Sequence, residues 1–204
     1  MKIIVIGGHT RNIGKTSVAA NLIRAFPAFN WTAVKITQYG HGVCSHDGKP
    51  CGCAPTGHPF ALSEERNTEG RTDSSRFLAA GARRSLWLRV RQGQLALAVP
   101  VLKKALQQSK SIIVESNSIL EFLTPLLYLA ILDSSKPDFK PSARKFLERA
   151  DALLPVRPAL APDVWPGIDF PSVSQKPEFP VPPPDYANLD LFRFVQQKLS
   201  SGGL

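Results

Sequence analysis

The sequence has few cysteines, a single methionine and no long apolar run. Its 204 residues contain three cysteines, an odd and small number that does not fit the disulfide framework of small secreted proteins. No apolar stretch reaches the roughly 18 residues of a membrane-spanning helix, and the N-terminus lacks the pattern of a secretory signal. We therefore expect a cytoplasmic protein with no membrane partner.

Acidic residues are also scarce, with 16 acids against 25 lysines and arginines and a net charge of +9. Seven arginines and no lysine fall between Arg66 and Arg91, with acidic residues beside and among them. Such a region either attracts phosphate or another polyanion, or is a solvated basic face. Because no nucleic-acid module accompanies these arginines, we do not expect nucleic acid as a partner.

Short β-branched runs alternate with segments of helical period, which is typical of a parallel sheet covered by helices. The predicted strands are Ile3–Ile6, Thr32–Ile36, Ser85–Val90, Ser111–Glu115, Leu127–Leu132 and Ala152–Val156. The predicted helices are Lys15–Ala25, Asp73–Ala80, Gln94–Gln107 and Ser142–Arg149. We expect one α/β domain over residues 1–154.

Two stretches interrupt this alternation. Residues 38–72 form a long connection rich in glycine, histidine, cysteine and charge, and connections of that length are usually functional or disordered. Residues 155–184 hold ten of the 18 prolines, which predicts an extended segment over the surface. Residues 185–204 are predicted as a helix from Asp185 to Leu199 and a tail, with an apolar face formed by Leu189, Phe192, Val195 and Leu199.

The first of these stretches carries all three cysteines and three of the four histidines, in "HGVCSHDGKPCGCAPTGH" from His41 to His58. Thiolate and imidazole are ligands that suit Zn²⁺. The candidate zinc ligands are Cys44, Cys51, Cys53, His41, His46 and His58. The Cys51-x-Cys53 spacing is tighter than that of a standard zinc finger, so free thiols in a loop and a redox role stay open beside the zinc site.

The segment "GGHTRNIGKTS", Gly7 to Ser17, follows an apolar strand and opens a predicted helix. The backbone N–H groups of such a turn converge on one point, where the helix N-terminus adds partial positive charge, so phosphate binds there. Lys15 is placed to contact the β- and γ-phosphates of a nucleoside triphosphate, and the Thr16 hydroxyl to hold Mg²⁺. The predicted nucleotide-binding residues are Gly8, Thr10, Asn12, Ile13, Gly14, Lys15, Thr16 and Ser17.

Three further residues have the chemistry of a phosphoryl-transfer site. Glu115 comes at the carboxyl end of an apolar strand, where ligands of open α/β sheets collect. Asp73, at a helix start, is a candidate Mg²⁺ contact, and a plain N-cap is the other interpretation; the two roles are compatible. Lys35 needs a charged partner, either substrate or the γ-phosphate, unless its strand is an exposed edge. The predicted catalytic residues are Lys15, Lys35 and Glu115, and the predicted Mg²⁺ ligands are Thr16, Asp73 and Glu115.

Five residues separate Gly8 from Gly14, one more than in the common P-loop pattern. This longer loop resembles that of dethiobiotin synthetase and that of the molybdopterin-guanine dinucleotide biosynthesis protein B family. "AVKIT" (Ala33–Thr37) resembles the second strand of both families. "RTDSSRFLAAGA" (Arg71–Ala82) and "IIVESN" (Ile112–Asn117) resemble segments of the biosynthesis protein B family, so the likeness covers about the first 120 residues.

The resemblance implies a P-loop NTPase fold, which is a doubly wound, mostly parallel sheet in three α/β/α layers, with bound Mg²⁺ and GTP or ATP. It favours nucleotide binding and hydrolysis of the biosynthesis protein B type, with a cofactor-biosynthesis protein or an anionic small molecule as partner; a homodimer stays open. Two other functions also stay open. One is an ATP-dependent small-molecule kinase or ligase acting on an anionic acceptor, and the other is a nucleotide-gated metal or cofactor adaptor that uses the Cys/His loop.

Two segments bear on the second substrate and on the base. After Glu115 the sequence "ESNSILEF" replaces the glycine-rich continuation of the resembled families. "SSKPD" (Ser134–Asp138) is similar to the Asn/Thr-Lys-x-Asp element with which many GTPases read guanine. The alternative is an ordinary proline-containing turn in which Asp138 caps the next helix. The sequence alone therefore leaves the choice between GTP and ATP open.

Overall fold

The computed structural model describes residues 1–40, 58–157, 164–169, 173 and 175–201. Seven strands of this part of the chain form one sheet: β1 (Lys2–Gly8), β2 (Thr32–Tyr39), β3 (Phe60–Glu64), β4 (Arg84–Arg91), β5 (Ser111–Glu115), β6 (Leu127–Leu132) and β7 (Ala152–Pro155). Their order across the sheet is β3-β4-β2-β5-β1-β6-β7. All pairings between these strands are parallel except that of β3 with β4.

Five α-helices connect or follow these strands within the described residues: α1 (Lys15–Ala25), α2 (Asp73–Ala79), α3 (Leu95–Leu106), α4 (Pro141–Phe146) and α5 (Leu189–Ser201). Single 3₁₀ turns span Pro27–Phe29, Ser118–Glu121 and Leu147–Arg149. None of the helices in the described part of the chain has both the length and the hydropathy to cross a bilayer.

The helices cover both faces of the sheet. Successive residues of a strand point to opposite faces, so Ile3 and Val5 of β1 pack in a core with α3 and α4, whereas Ile4 and Ile6 pack in a second core with α1, α2 and α5. Strands that are covered on both faces are apolar nearly throughout, and every residue of β5 and β6 is buried. The predicted fold class, a doubly wound and mostly parallel sheet in three α/β/α layers, is confirmed.

The predicted connection over residues 38–72 contains secondary structure that the sequence analysis missed. Gln38 and Tyr39 extend β2, and Phe60–Glu64 forms the antiparallel edge strand β3. This strand has only five residues, none of them fully buried, so its sequence lacks the apolar run by which the inner strands were found. An edge strand with one neighbour needs no continuous apolar pattern because only part of its surface is covered.

The C-terminal part packs back onto the sheet and onto α1. The N–H of Val181 donates to the carbonyl of Pro155 at 2.7 Å, beside β7. The terminal helix begins at Leu189 and not at the predicted Asp185. The Asn188 side chain fixes this start, because it accepts hydrogen bonds from the N–H groups of Asp190 and Leu191 in the first turn. Leu191, Val195 and Leu199 are buried, whereas Leu189 is 72% exposed and does not belong to the apolar face as predicted.

Candidate functional site

The segment from Gly8 to Ser17 joins β1 to α1 as a tight phosphate-binding turn. Gly14 has φ 89° and ψ 10°, a left-handed conformation that glycine adopts at little cost. Its carbonyl accepts the first helical bond, from Val18 at 2.9 Å, so the N–H groups of Lys15 to Ser17 have no partner within the helix. These residues line a cleft of about 920 Å³ at the carboxyl edge of the sheet.

A cluster of one hydroxyl, one ammonium and two carboxylates lies in this cleft. The Thr16 hydroxyl donates to Oε2 of Glu115 at 2.7 Å. The Lys35 ammonium pairs with Oδ2 of Asp73 at 2.8 Å and also with the Glu115 carboxylate. Lys35 on β2 is the register partner of Glu115 on the adjacent strand β5. Four residues predicted from separate motifs therefore meet at one point.

The ionisation of this cluster follows from burial and from the neighbouring charges. Burial opposes the charge of Lys35, but Glu115 and Asp73 together outweigh it and raise its pKa above the usual value. Burial acts against the Asp73 charge too, and Lys35 again prevails and holds the Asp73 pKa below its ordinary range. Burial lowers the pKa of Lys15 to about 7, although Glu115 acts in the opposite direction. The charge of Lys35 is thus compensated by two carboxylates, and beside this cluster lies Lys15, whose charge is disfavoured by burial.

Two alternatives from the sequence are wrong. Asp73 is not the N-cap of α2, because the Thr72 side chain takes that position and accepts a bond from the N–H of Ser75 at 3.2 Å. Lys35 is not on an edge strand, because β2 has neighbours on both sides. The charged partners of Lys35 in the described structure are the two carboxylates.

Other predicted nucleotide-binding residues divide into two groups. Gly8, Asn12 and Ile13 line the cleft with the residues that open α1. Thr10 is buried instead, and its hydroxyl bonds the carboxylate of Asp138. Asp138 therefore does not cap the next helix, whose N-cap is Lys140.

Asn117 fixes the start of the loop, a role that the sequence analysis did not assign. Its carboxamide accepts from the N–H of Gly8 at 2.9 Å and donates to the carbonyl of the same residue at 2.9 Å. A side chain at Gly7 would lie 2.2 Å from the Asn117 oxygen, so the close approach requires glycine there. The sequence did contain a sign of this role, because Ser116, Asn117 and Ser118 stand where the resembled families have a glycine-rich segment after Glu115.

The segment after β6 holds the loop from the other side. His9 is fully buried, with Nδ1 2.9 Å from the carbonyl oxygen of Asp138 and Nε2 accepting from the N–H of Asp133 at 3.0 Å. Burial lowers the pKa of His9 and so favours its neutral form. A neutral imidazole that carries its proton on Nδ1 satisfies both contacts. Lys136 donates to the carbonyl of Asn12 at 2.8 Å. The "SSKPD" segment thus holds the loop in place through the Asp138 carbonyl, the Lys136 ammonium and the Asp138 carboxylate.

Lys140, which follows this segment and is the N-cap of α4, contributes a further cation that was not predicted from the sequence. Its N–H donates to the carbonyl of His9 at 2.8 Å, and its side chain lines the cleft. Burial lowers the Lys140 pKa to about 8, with Arg11 and Lys35 adding to the effect. Repulsion among desolvated cations at one site is relieved when an anion binds.

The predicted zinc site falls mostly beyond the described residues. His41, Cys44, His46, Cys51 and Cys53 all lie outside them. His58 is exposed, and its carbonyl oxygen accepts from the Tyr39 hydroxyl at 3.1 Å. Among the residues that the structure describes, no group of three or more His, Cys, Asp and Glu side chains could hold a metal.

Comparison with known proteins gives the fold. No protein-family model and no curated protein matches the sequence. The chain is similar to LpxK from Aquifex aeolicus in complex with ATP, with 15% identity and a TM-score of 0.50 over 98% of this chain and 68% of that one. It also aligns with HypB from Helicobacter pylori in complex with nickel, with 14% identity and a TM-score of 0.48 over 98% and 87%. The chain has a P-loop NTPase fold.

Proposed function

We propose that the protein binds Mg²⁺ with ATP or GTP in this cleft and hydrolyses the terminal phosphoanhydride bond, with water as the acceptor of the phosphoryl group. The observation that carries the proposal is the meeting of Thr16, Lys35, Asp73 and Glu115 at the phosphate-binding turn. A glycine-rich turn with only a structural role does not require a buried ammonium and a buried carboxylate at its end, since burying such charges is costly.

The donor set of the cluster fits Mg²⁺. This ion takes hard oxygen ligands, commonly one or two carboxylates together with substrate phosphates. The Thr16 hydroxyl and the carboxylates of Asp73 and Glu115 would hold the ion. The same two carboxylates stabilise the positive charge of the Lys35 ammonium in the structure. When bound, Mg²⁺ supplies charge neutralisation and Lewis acidity at the phosphate.

The protein's own groups would act mainly by positioning and by electrostatics. The N–H groups of Lys15 to Ser17 and the Lys15 ammonium would bind the phosphates and stabilise the charge that develops on them. Glu115 would orient the attacking water or the metal ligands. Lys35 would contact the γ-phosphate or a second substrate and stabilise its negative charge.

Within this class we propose an activity of the molybdopterin-guanine dinucleotide biosynthesis protein B type. All four sequence segments that resemble that family contribute to the site: the loop supplies Lys15 and Thr16, and the other three supply Lys35, Asp73 and Glu115. LpxK, which shares the fold, was crystallised with ATP, so both nucleotides belong in the test.

A kinase or ligase is the second candidate, because the cleft extends past the loop. Its far end is lined by Gln38 and Gln92 at the carboxyl edge of the sheet and by Phe122 after β5. This leaves space for a second substrate beside a triphosphate. A kinase would turn over nucleotide only with that acceptor, whereas a simple NTPase would release phosphate without it.

Thermal unfolding with ATP, with GTP and with neither, each with and without Mg²⁺, tests the proposal. A ligand at 100 times its dissociation constant stabilises the native state by about 2.7 kcal/mol, which for a chain of this size raises the midpoint by roughly 5–10 °C. We expect a Mg²⁺-dependent rise with at least one nucleotide and none in Lys15→Ala. The absence of any shift in folded, nucleotide-free protein would contradict the proposal.

A further inference from the structure

A tyrosine from the C-terminal segment packs directly on the phosphate-binding turn. The ring of Tyr186 is so close to Gly14 that a β-carbon built there would lie 2.2 Å from both Cδ1 and Cε1. The same ring lines the cleft, together with the residues that open α1. Gly14 therefore has two reasons to be glycine, its positive φ and the contact with this ring.

The position of Tyr186 is held by the surrounding structure. The Asn21 side chain on α1 donates to the carbonyls of Asp185 and Tyr186, at 2.7 and 3.0 Å. The N–H of Tyr186 donates to the carbonyl of Pro182 at 2.9 Å. Tyr186 has φ 51°, a left-handed conformation that is uncommon for a bulky residue and that persists only where surrounding contacts enforce it.

The ring lies on the side of α1 opposite to the proposed metal ligands. Gly14 and Asn21 are seven residues apart, close to two full turns, so they share one side of the helix. Thr16 is rotated by about 200° from Gly14, and its hydroxyl contacts Glu115 on the other side. A triphosphate with its terminal phosphates near Lys15 and Thr16 would direct its nucleoside away from the acids, toward Tyr186.

We propose that Tyr186 forms the nucleoside-contacting wall of the site, where its ring packs against the base or the ribose of the bound nucleotide. The inference rests on the proposed nucleotide-binding function and assigns a part of the ligand that the loop itself does not contact. It gives the segment that links the proline-rich stretch to α5 a binding role, because that segment carries the ring to the loop. Aromatic packing tolerates any base, so Tyr186 would add affinity for nucleosides without choosing between adenine and guanine.

The test compares inorganic tripolyphosphate with ATP and GTP, each with Mg²⁺, by titration calorimetry of the full chain. Base–aromatic stacking is worth enough that its loss weakens binding by about 5- to 150-fold. Tyr186→Ala should weaken ATP and GTP by such a factor and leave tripolyphosphate unchanged. Tyr186→Phe, which keeps the ring, should bind all three ligands like the wild type. Leu189→Ala, an exposed change in the same segment, is the matched control and should have no effect.

Asn21→Ala gives a second approach that leaves the ring itself in place. It removes the two bonds from the Asn21 side chain to the carbonyls of Asp185 and Tyr186, so it should weaken the binding of ATP and GTP by a smaller factor than Tyr186→Ala and leave that of tripolyphosphate unchanged. Equal ATP affinity in wild type and Tyr186→Ala would overturn the inference, as would a gain in affinity or an equal loss for tripolyphosphate. If the wild type bound tripolyphosphate, ATP and GTP equally, only this inference would fall, whereas binding of none of them would overturn the proposed function as well.

Discussion

Replacement of Lys35 by methionine is the change that probes the centre of the site most sharply. Methionine keeps much of the length of the side chain but removes the ammonium that pairs with Asp73 and Glu115. The Glu115 side chain is only 3% exposed, and in the variant its charge would keep the Thr16 hydroxyl as hydrogen-bond donor. The variant should therefore be clearly less stable than the wild type at neutral pH.

The magnitude follows from burial. Removing one partner of a buried ion pair costs roughly 3–5 kcal/mol because the other charge is left uncompensated. The Asp73 side chain is 39% exposed, so water screens part of its charge, and we place the loss at the lower end, about 3 kcal/mol. For a chain of this length that loss lowers the unfolding midpoint by roughly 6–12 °C.

Thermal and chemical denaturation of four proteins provide the measurement: wild type, Lys35→Met, Glu115→Gln and the double variant. Because the two residues contact each other, the double variant should lose less than the sum of the single losses. Added Mg²⁺ should recover more stability in Lys35→Met than in wild type, since two carboxylates then lack their ammonium. Lys145→Met, which removes an exposed pair with Glu121 at 3.5 Å, is the control and should cost less than about 1 kcal/mol.

A stabilising ion pair between Lys35 and Glu115 would be refuted if Lys35→Met were as stable as Lys145→Met and its effect were additive with that of Glu115→Gln. Additivity would mean that the ammonium and the carboxylate do not interact in solution. If Mg²⁺ stabilised Lys35→Met no more than it stabilises the wild type, the assignment of Asp73 and Glu115 as metal ligands would be contradicted.

Two further predictions concern the loop. Because burial lowers the Lys15 pKa to about 7 and a bound triphosphate needs the charged form, triphosphate affinity should fall, by up to about tenfold per pH unit, as pH rises from about 7 to about 9. Over the same interval the ligand-free protein should gain stability, since Lys15 keeps its proton in the unfolded chain and loses it in the folded one. A triphosphate affinity that does not change with pH would contradict the prediction for Lys15. Gly14→Ala should lose more stability in chemical denaturation than Gly93→Ala. Both glycines have positive φ, but only at Gly14 would a β-carbon collide with Tyr186. Equal losses of stability in the two variants would contradict the contact between Gly14 and Tyr186.

Local sequence patterns were sufficient to predict most of the fold. Strands β5 and β6 have the predicted bounds because each contains a continuous apolar run that both helical layers cover. Helix α1 also has its predicted bounds, since the glycine-rich turn fixes its start. β3 was missed because a five-residue edge strand without fully buried residues leaves no such pattern. The start of α5 was misplaced because it depends on the capping contacts of Asn188, which the helical period does not reveal.

The site was predictable to the extent that its residues belong to elements that end at the same edge of the sheet. Glu115 was predictable from its place at the carboxyl end of an apolar strand, whereas its contact with Lys35 depends on the adjacency of β2 and β5, which the sequence does not reveal. Contacts made by single residues from distant segments were not predictable. Asn117 against Gly8 and Tyr186 against Gly14 arise from chain packing, and one asparagine or tyrosine in a sequence has no periodicity that would indicate its partner.

We propose above all that the turn from Gly8 to Ser17 binds the phosphates of a magnesium nucleotide. Titration calorimetry of purified, nucleotide-free protein with ATP and with GTP, in Mg²⁺ and in chelator, tests it most directly, with Lys15→Ala as the matched variant. We predict one triphosphate per chain, bound only with Mg²⁺, and a loss of this binding in a Lys15→Ala protein that remains folded. Absence of binding in the folded wild type, or binding that Lys15→Ala leaves unchanged, would contradict the account.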